Sequence, residues 1–231
     1  MKHDNSPKHD NSPKQKCVTL VSGGIDSVVT LALCSQRYDV YALSFDYGQK
    51  HSVELECAKH HTHKFNCSEH KIIHVPISDI THSALTDPQI APQQYTLPFE
   101  IPNTYVPARN LILLSLAVAY ACTVGTDLIS YGANIVDYSN YPDCRLEFIT
   151  AFNQVAQLAT GPQCKPQVFA PLLFLSKAQI INLGHSLGVD FKYTWSCYNP
   201  MPGPKPCGKC PSCQIRRKGF LEAGIQDPWE E

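Results

Sequence analysis

The chain alternates short apolar runs with longer stretches of helical apolar spacing, the pattern of strand–helix–strand units that feed a parallel sheet. Residues 18–21 (Val-Thr-Leu-Val) read as a buried strand, and residues 28–33 as the helix after it. Further strands are expected over 40–45, 71–76 and 127–132. Helices are expected over 51–66, 111–122, 146–160 and 177–183, the last closing at Gly188. Between residues 78 and 102 the periodicity fades into Pro, Gln, Thr and Asp, and a loop this long in a compact domain reads as a functional lid. The expected fold is therefore α/β: a doubly wound, mostly parallel sheet with a small C-terminal metal-binding region.

Composition narrows this picture. A hexapeptide, KHDNSP, occupies residues 2–7 and again 8–13; so polar a duplication cannot bury a core. The expected division is a disordered tail over 1–15, a nucleotide-binding domain over 16–190 and a C-terminal region over 191–231 packed on it. With 43% hydrophobic and 17% charged residues among 231, one α/β domain with a small appendage is affordable. The net charge of -1 gives no overall case for binding nucleic acid or a membrane surface. No apolar run is long enough to cross a bilayer, and the N-terminus is too polar for a signal peptide. Eleven cysteines scattered through such a chain point to a reducing cytoplasm and mostly free thiols. Cys17, Cys34, Cys57, Cys67, Cys122, Cys144 and Cys164 read as small core residues.

The chemistry centres on Val21-Ser22-Gly23-Gly24-Ile25-Asp26-Ser27, between the first strand and its helix. A glycine-rich turn into a helix leaves backbone N–H groups pointing at one spot, where phosphate can accept them. Gly23 and Gly24 let an anion approach the main chain, and Ser22 and Ser27 add hydroxyl donors. Asp26 is an odd neighbour for phosphate unless it shares a Mg²⁺ ion with it. No Lys follows the glycines, so this is not a Walker A loop.

Other candidates lie at expected strand ends, where open α/β sheets bind ligands. Phe45, Asp46, Tyr47 and Gln49 follow the second strand, beside the nucleotide. Arg109 and Asn110 open the apolar helix over 111–122, a place suited to phosphate or carboxylate. Asn134, Asp137 and Tyr138 follow the fourth strand, and Asp143 and Arg145 precede the next helix. These are where substrate is expected to be read, although Asp143 equally suits a plain N-cap. Lys177 either serves an anionic substrate or decorates a helix start. His60, His61 and His63 invite a metal reading, but a solvated helix face accounts for them better.

Cys197, Cys207, Cys210 and Cys213 form a separate cluster, the last three as C-x-x-C-x-x-C with Gly208, Pro211 and Ser212 read as turn formers. Four soft thiolates so close in sequence suit a closed, structural zinc tetrahedron. An iron–sulfur cluster uses similar spacings and loose thiols remain the third alternative.

The loop over residues 22–27 resembles the PP-loop of the ATP pyrophosphatase superfamily. Together with Phe45 to His51, Val106 to Asn110, Asp137 to Arg145, Ala170 to Leu172, Lys177 and the four cysteines, it makes the chain similar to the 7-cyano-7-deazaguanine synthases of queuosine biosynthesis. Two departures are visible: Ala108 and Asn140 stand where that family usually carries Gly. The resemblance implies a carbon–nitrogen ligase that turns 7-carboxy-7-deazaguanine and ammonia into 7-cyano-7-deazaguanine through adenylated intermediates. It also implies ATP at Val21 to Ser27, Phe45, Tyr47 and Gln49, with Ser22, Asp26, Ser27, Arg109 and Lys177 serving catalysis. Arg109, Asp143 and Arg145 then meet the substrate, Zn²⁺ is structural and a homodimer is expected. Free ammonium is the expected nitrogen donor, since no glutaminase domain fits this length. Two readings compete. A tRNA-modifying PP-loop enzyme of the thiolation type requires a basic face, and a non-catalytic zinc module leaves the intact glycine loop without a purpose.

Overall fold

The computed structural model describes residues 13–49, 53–93, 100–134, 141–203 and 205–230. Most of the KHDNSP repeat lies outside them, as do Lys50, His51, Asp137, Tyr138 and Asn140. Five strands form one wholly parallel sheet: β1 (Lys16–Leu20), β2 (Asp39–Asp46), β3 (Glu69–His74), β4 (Leu128–Ser130) and β5 (Gln167–Phe169). Their spatial order is β3-β2-β1-β4-β5. The chain thus winds outward from β1 in one direction, then crosses to its other side at β4. The carboxyl ends of β1 and β4 flank this switch point, where the connections diverge and leave a crevice.

Among the described residues, six α-helices accompany the sheet: α1 (Ile25–Arg37), α2 (Val53–Lys64), α3 (Arg109–Val124), α4 (Leu146–Ala159), α5 (Lys177–Ser186) and α6 (Pro211–Ala223). Strand side chains alternate between faces. Val18, Leu43 and Phe45 point to one side, into a core with Leu113, Leu114 and Ala117 of α3 and Ile149 and Phe152 of α4. Val40 and Ala42 point to the other, against Leu31 and Cys34 of α1 and Ala58 of α2. The outer side of α1 is covered in turn, where Ile25, Val28 and Val29 meet Ile180 and Ile181 of α5 and Phe220 of α6. The C-terminal region therefore packs over the helix that follows the glycine loop.

Four expectations need correction. Strand β5 was not anticipated, because Gln-Val-Phe is too short to show periodicity. Pro211 and Ser212 open α6 rather than make a turn: Cys210 is its N-cap, and proline is favoured in the first helical turn. Cys122 and Cys164 form a disulfide where the end of α3 meets the approach to β5, with their Cα atoms 5.5 Å apart, so these two are not free thiols. Of the α2 histidines, His63 is exposed as expected, but His60 and His61 are not part of a solvated face. His61 is fully buried (0% exposed), and His60 stacks on Tyr193 with ring centroids 3.8 Å apart, because the short turn Phe191–Tyr193 lies on α2.

His61 has a consequence for acid stability. Burial pushes its pKa down to about 4, reinforced by His60 and Lys64 and only partly countered by the backbone of Tyr193 and Asp190. An unfolded histidine takes up its proton near pH ~6.5. As pH falls from there toward the folded value, protons bind the unfolded chain first and stability is lost; above that range His61 contributes nothing. The loss for this group alone is up to about 3 kcal/mol. Thermal melts between pH 7 and pH 4.5 should show a steeper decline for the native chain than for His61→Phe. Parallel curves would refute this assignment.

Candidate active site

The loop after β1 ends in α1 without any side-chain cap, which leaves the first-turn N–H groups of that helix for a ligand. Within the loop, the Ser27 hydroxyl accepts from the backbone N–H groups of Ser22 and Gly23, both at 3.1 Å, and donates to the Gly24 carbonyl at 3.0 Å. The Ser22 hydroxyl donates to Ser27 Oγ at 3.1 Å. Ser27 thus holds the turn in the shape of an anion nest.

The loop is gripped from three sides. Gly23 has φ +91°, and a Cβ built there would lie 2.0 Å from the Glu54 carbonyl oxygen in the first turn of α2. A Cβ at Gly132, just past β4, would lie 2.9 Å from the Asp26 carbonyl carbon. On the third side, the Trp195 N–H donates to the Gly23 carbonyl at 2.9 Å. Glycine is needed at these positions because other main chain fills the space a side chain would take.

Asp26 projects from α1 toward Lys177, the first residue of α5, whose Nζ reaches both carboxylate oxygens at 2.6 and 2.7 Å. The pair is mostly sheltered, the two side chains being 23% and 14% exposed. Lys177 reaches that far because its stem passes Gly219 of α6, where an added Cβ would lie 2.4 Å from Lys177 Cγ.

From α3, Arg109 lines the same cavity as the loop. Its Nη1 donates to the Tyr47 hydroxyl at 3.2 Å, and its guanidinium lies over the Tyr47 ring, 5.5 Å from the centroid. Burial opposes this charge, but Tyr47, Asp143 and Cys144 more than offset it, so Arg109 stays charged. Ala108, where the family resemblance expects Gly, holds a left-handed φ of +56° at the start of α3. Gln49 closes the turn after β2, accepting from the Tyr47 N–H at 2.8 Å and donating to the Phe45 carbonyl at 3.1 Å.

These parts enclose one cavity of about 280 Å³. Val21, Ser22, Gly24, Ile25, Asp26, Ser27, Phe45, Tyr47, Gln49, Arg109 and Lys177 line it, and so does Cys197. Asp143 stands behind the wall: its carboxylate accepts from the Asn110 N–H at 2.9 Å and caps α3 from outside. Arg145 is the residue before α4 and does not line the cavity. The lid expected over 78–102 contributes Leu85. Tyr141, in the loop after the fourth strand where substrate is expected to be read, also lines it, whereas Glu54, Thr104, Trp195 and Tyr198 are lining residues that the sequence does not single out. Glu54 alone carried a signal, an acidic residue at a helix start, and that signal reads equally as an ordinary helix-dipole preference.

The cysteine centre adjoins the loop. The thiol sulfurs of Cys197, Cys207, Cys210 and Cys213 all lie within 4.8 Å of one another. Backbone N–H groups donate to three of them: Cys207 to Cys197 Sγ at 3.2 Å, Cys210 to Cys207 Sγ at 3.3 Å and Tyr198 to Cys210 Sγ at 3.4 Å. Such donors favour thiolates, and the spacing fits one tetrahedral ion with no open position. Beside it, buried Arg216 binds both Asp227 oxygens at 2.8 Å, donates to the Thr194 hydroxyl at 2.8 Å and stacks on Trp229. This network fixes the segment that carries Trp195 and Cys197.

A parallel sheet with a glycine-rich anion cradle at its switch point, and no Walker lysine, defines a PP-loop nucleotide-using enzyme. The sequence profile of the family described as queuosine biosynthesis protein QueC matches residues 16–224, and the chain belongs to that family. It is 48% identical to a 7-cyano-7-deazaguanine synthase of Saccharophagus degradans, over 93% of this chain and 96% of that one. It is 47% identical to the synthase of the same name from Thermoplasma acidophilum, over 94% and 92% of the two chains. In fold it is similar to NMN synthetase from Francisella tularensis, with a TM-score of 0.51 and 18% identity over 93% of this chain and 79% of that one.

The grip on the loop is testable. Gly23→Ala needs a left-handed alanine and a shift of α2 away from the loop. It should destabilise the fold by at least about 2 kcal/mol in urea denaturation. A change below about 0.5 kcal/mol would mean that the loop and α2 do not touch as described.

Proposed function

We propose that this chain is a 7-cyano-7-deazaguanine synthase, which uses ATP and ammonia to convert 7-carboxy-7-deazaguanine into the 7-cyano compound. Family membership over nearly the whole chain supports the substrate and product. The observation that carries the chemistry is the cavity itself, which an anion cradle and a charged, half-buried arginine both line. The cradle suits the phosphates of ATP and the arginine the carboxylate that must be activated.

A carboxylate is a poor electrophile, because hydroxide is a poor leaving group. Attack of a carboxylate oxygen on the α-phosphorus of ATP releases pyrophosphate and leaves an acyl adenylate. Ammonia then displaces AMP to give the carboxamide. A second adenylation, at the amide oxygen, permits elimination of AMP to the nitrile. In this reading Ser22, Gly23, Gly24 and Ser27 hold the pyrophosphate end, and preorganised donors offset charge developing on the leaving group. Arg109 draws the substrate carboxylate in and offsets its repulsion from the phosphates. Lys177 and Asp26 stand at the leaving-group end. Asp26 is the loop carboxylate suited to share Mg²⁺ with the phosphates, and Mg²⁺ when bound would neutralise charge there. The four cysteines suit Zn²⁺, held structurally.

The direct test is mass spectrometry of protein incubated with ATP, Mg²⁺, ammonium and 7-carboxy-7-deazaguanine. The nitrile is expected, with turnover reduced at least ~100-fold by Asp26→Ala. A folded, metal-loaded protein that makes neither amide nor nitrile would sink the reading. Metal analysis should find one zinc per chain, absent from Cys210→Ser. That variant should melt several degrees lower, as when a structural ion is lost (~2 kcal/mol or more). Iron in place of zinc, or an unchanged melt, would refute the structural zinc.

A further inference from the structure

The proposed reaction needs ammonia, yet ammonium at neutral pH is almost wholly protonated and has no lone pair to attack with. Two carboxylates line the cavity among the described residues, Asp26 and Glu54. Asp26 has both oxygens engaged by Lys177. No hydrogen bond or ion pair from a described residue reaches the Glu54 carboxylate. Its place is equally distinctive. The Glu54 main chain abuts Gly23, so the side chain starts at the phosphate loop, and its field reaches Arg109 and Tyr47, which line the same cavity. An activated carboxyl joined to an α-phosphate at the loop and drawn by Arg109 would lie in this cavity with Glu54.

We propose that Glu54 receives ammonium in this site and takes its proton, so that ammonia forms beside the acyl adenylate. The inference rests on the reaction proposed above. A half-buried anion with no partner among the described residues attracts a small cation, and the partly desolvated pair is relieved when the proton moves from nitrogen to the Glu54 oxygen. The freed lone pair forms the C–N bond at the acyl carbon. The C–O bond to AMP then breaks, and its electron pair leaves on the phosphate oxygen. The surplus proton on the new amide nitrogen passes to water, and Glu54 later releases its own. Acyl adenylate and ammonium thus become carboxamide, AMP and two protons.

The protonation balance of Glu54 suits this role. Burial pushes its carboxyl up to about 7, and Arg109 works against that rise. Its position in the first turn of α2 also favours the ionised form. The other titratable groups acting with it are Tyr47 at the end of β2 and Cys57 on its own helix. A base that titrates near the working pH accepts and releases protons with similar ease.

The test separates activation from nitrogen transfer. Substrate-dependent exchange of pyrophosphate into ATP reports adenylation and needs no nitrogen. Hydroxylamine, largely unprotonated at neutral pH, reports capture of the adenylate without a base. Glu54→Gln is expected to retain exchange and hydroxamate formation within about threefold while losing at least ~100-fold in ammonium-dependent turnover at pH 7. Its residual rate should climb with pH in step with free ammonia. Glu54→Asp keeps a carboxylate one methylene further back, and should raise the ammonium KM while leaving hydroxylamine capture intact. Ammonium kinetics unchanged in both variants would overturn the proposal, as would parallel losses of exchange, hydroxylamine capture and ammonium turnover. Absence of exchange in the native protein would overturn the underlying reaction as well, which distinguishes the two failures.

Discussion

The close approach of three elements to one glycine loop is the constraint on which this molecule depends. Helix α2 comes so near that its Glu54 carbonyl occupies the space of a Gly23 side chain, and Gly132 after β4 does the same for the first turn of α1. The loop's N–H groups therefore stay at fixed positions, those of Ser22 and Gly23 turned toward the Ser27 hydroxyl around which the loop folds. A phosphate that binds there meets donors already oriented, so little ordering entropy is lost at binding. The sheet order makes this approach achievable. Because β4 lies beside β1 on the side opposite β2, the loop after β1 has a strand end on one flank and α2 on the other.

The C-terminal region belongs to the same constraint. Trp195 closes the third side of the loop through Gly23, and its indole N–H donates to the Cys197 carbonyl at 3.0 Å. The metal-binding residue and the phosphate loop are thus two hydrogen bonds apart. Buried Arg216 adds a second anchor, with every donor nitrogen directed at Asp227, Thr194 or Phe191. A buried guanidinium is tolerable only when satisfied in this way. Helix α6 thereby carries two loads, the Cys213 thiol on its first turn and, at Gly219, the notch that lets Lys177 reach Asp26. The cysteine cluster, which lines the cavity through Cys197, thus helps to shape the active-site wall.

What the sequence made legible follows how local each feature is. The glycine loop and the cysteine cluster are written in consecutive residues, and their chemistry follows from spacing. The apolar periods of β1, β2, α3 and α4 fixed the sheet and both faces. Features set by tertiary contact were hidden. His61 reads as polar surface until the turn Phe191–Tyr193 is laid on α2. Asp143 carries equal signals for cap and ligand, and only the fold shows its carboxylate on Asn110, a helix away. Glu54 looks like a routine helix-start acid, and its meaning comes from Gly23, Arg109 and Tyr47, none of them near it in sequence. Helix α6 was masked by its polar composition and by Pro211, which marks a turn and a helix start alike.

The charges around the cavity form two opposed sets, and the difference between them is informative. Asp26 and Lys177 are in contact and neutralise one another. Glu54 and Arg109 influence each other without an ion pair, so each keeps the capacity to engage a ligand. A phosphate arriving at the loop competes with Asp26 for Lys177, because both are anions and Lys177 has one charge to share. In the proposed reaction, were Lys177 to turn to the phosphate, Asp26 would be left a sheltered carboxylate suited to hold a divalent ion. Arg109, unengaged by acid, can meet a carboxylate without first breaking a bond, and Glu54 can meet a cation on the same terms. In the proposed reaction, then, the leaving-group end is self-neutralised before nucleotide arrives, whereas the acyl end is open to one anion and one cation, the two reactants that the reaction brings together.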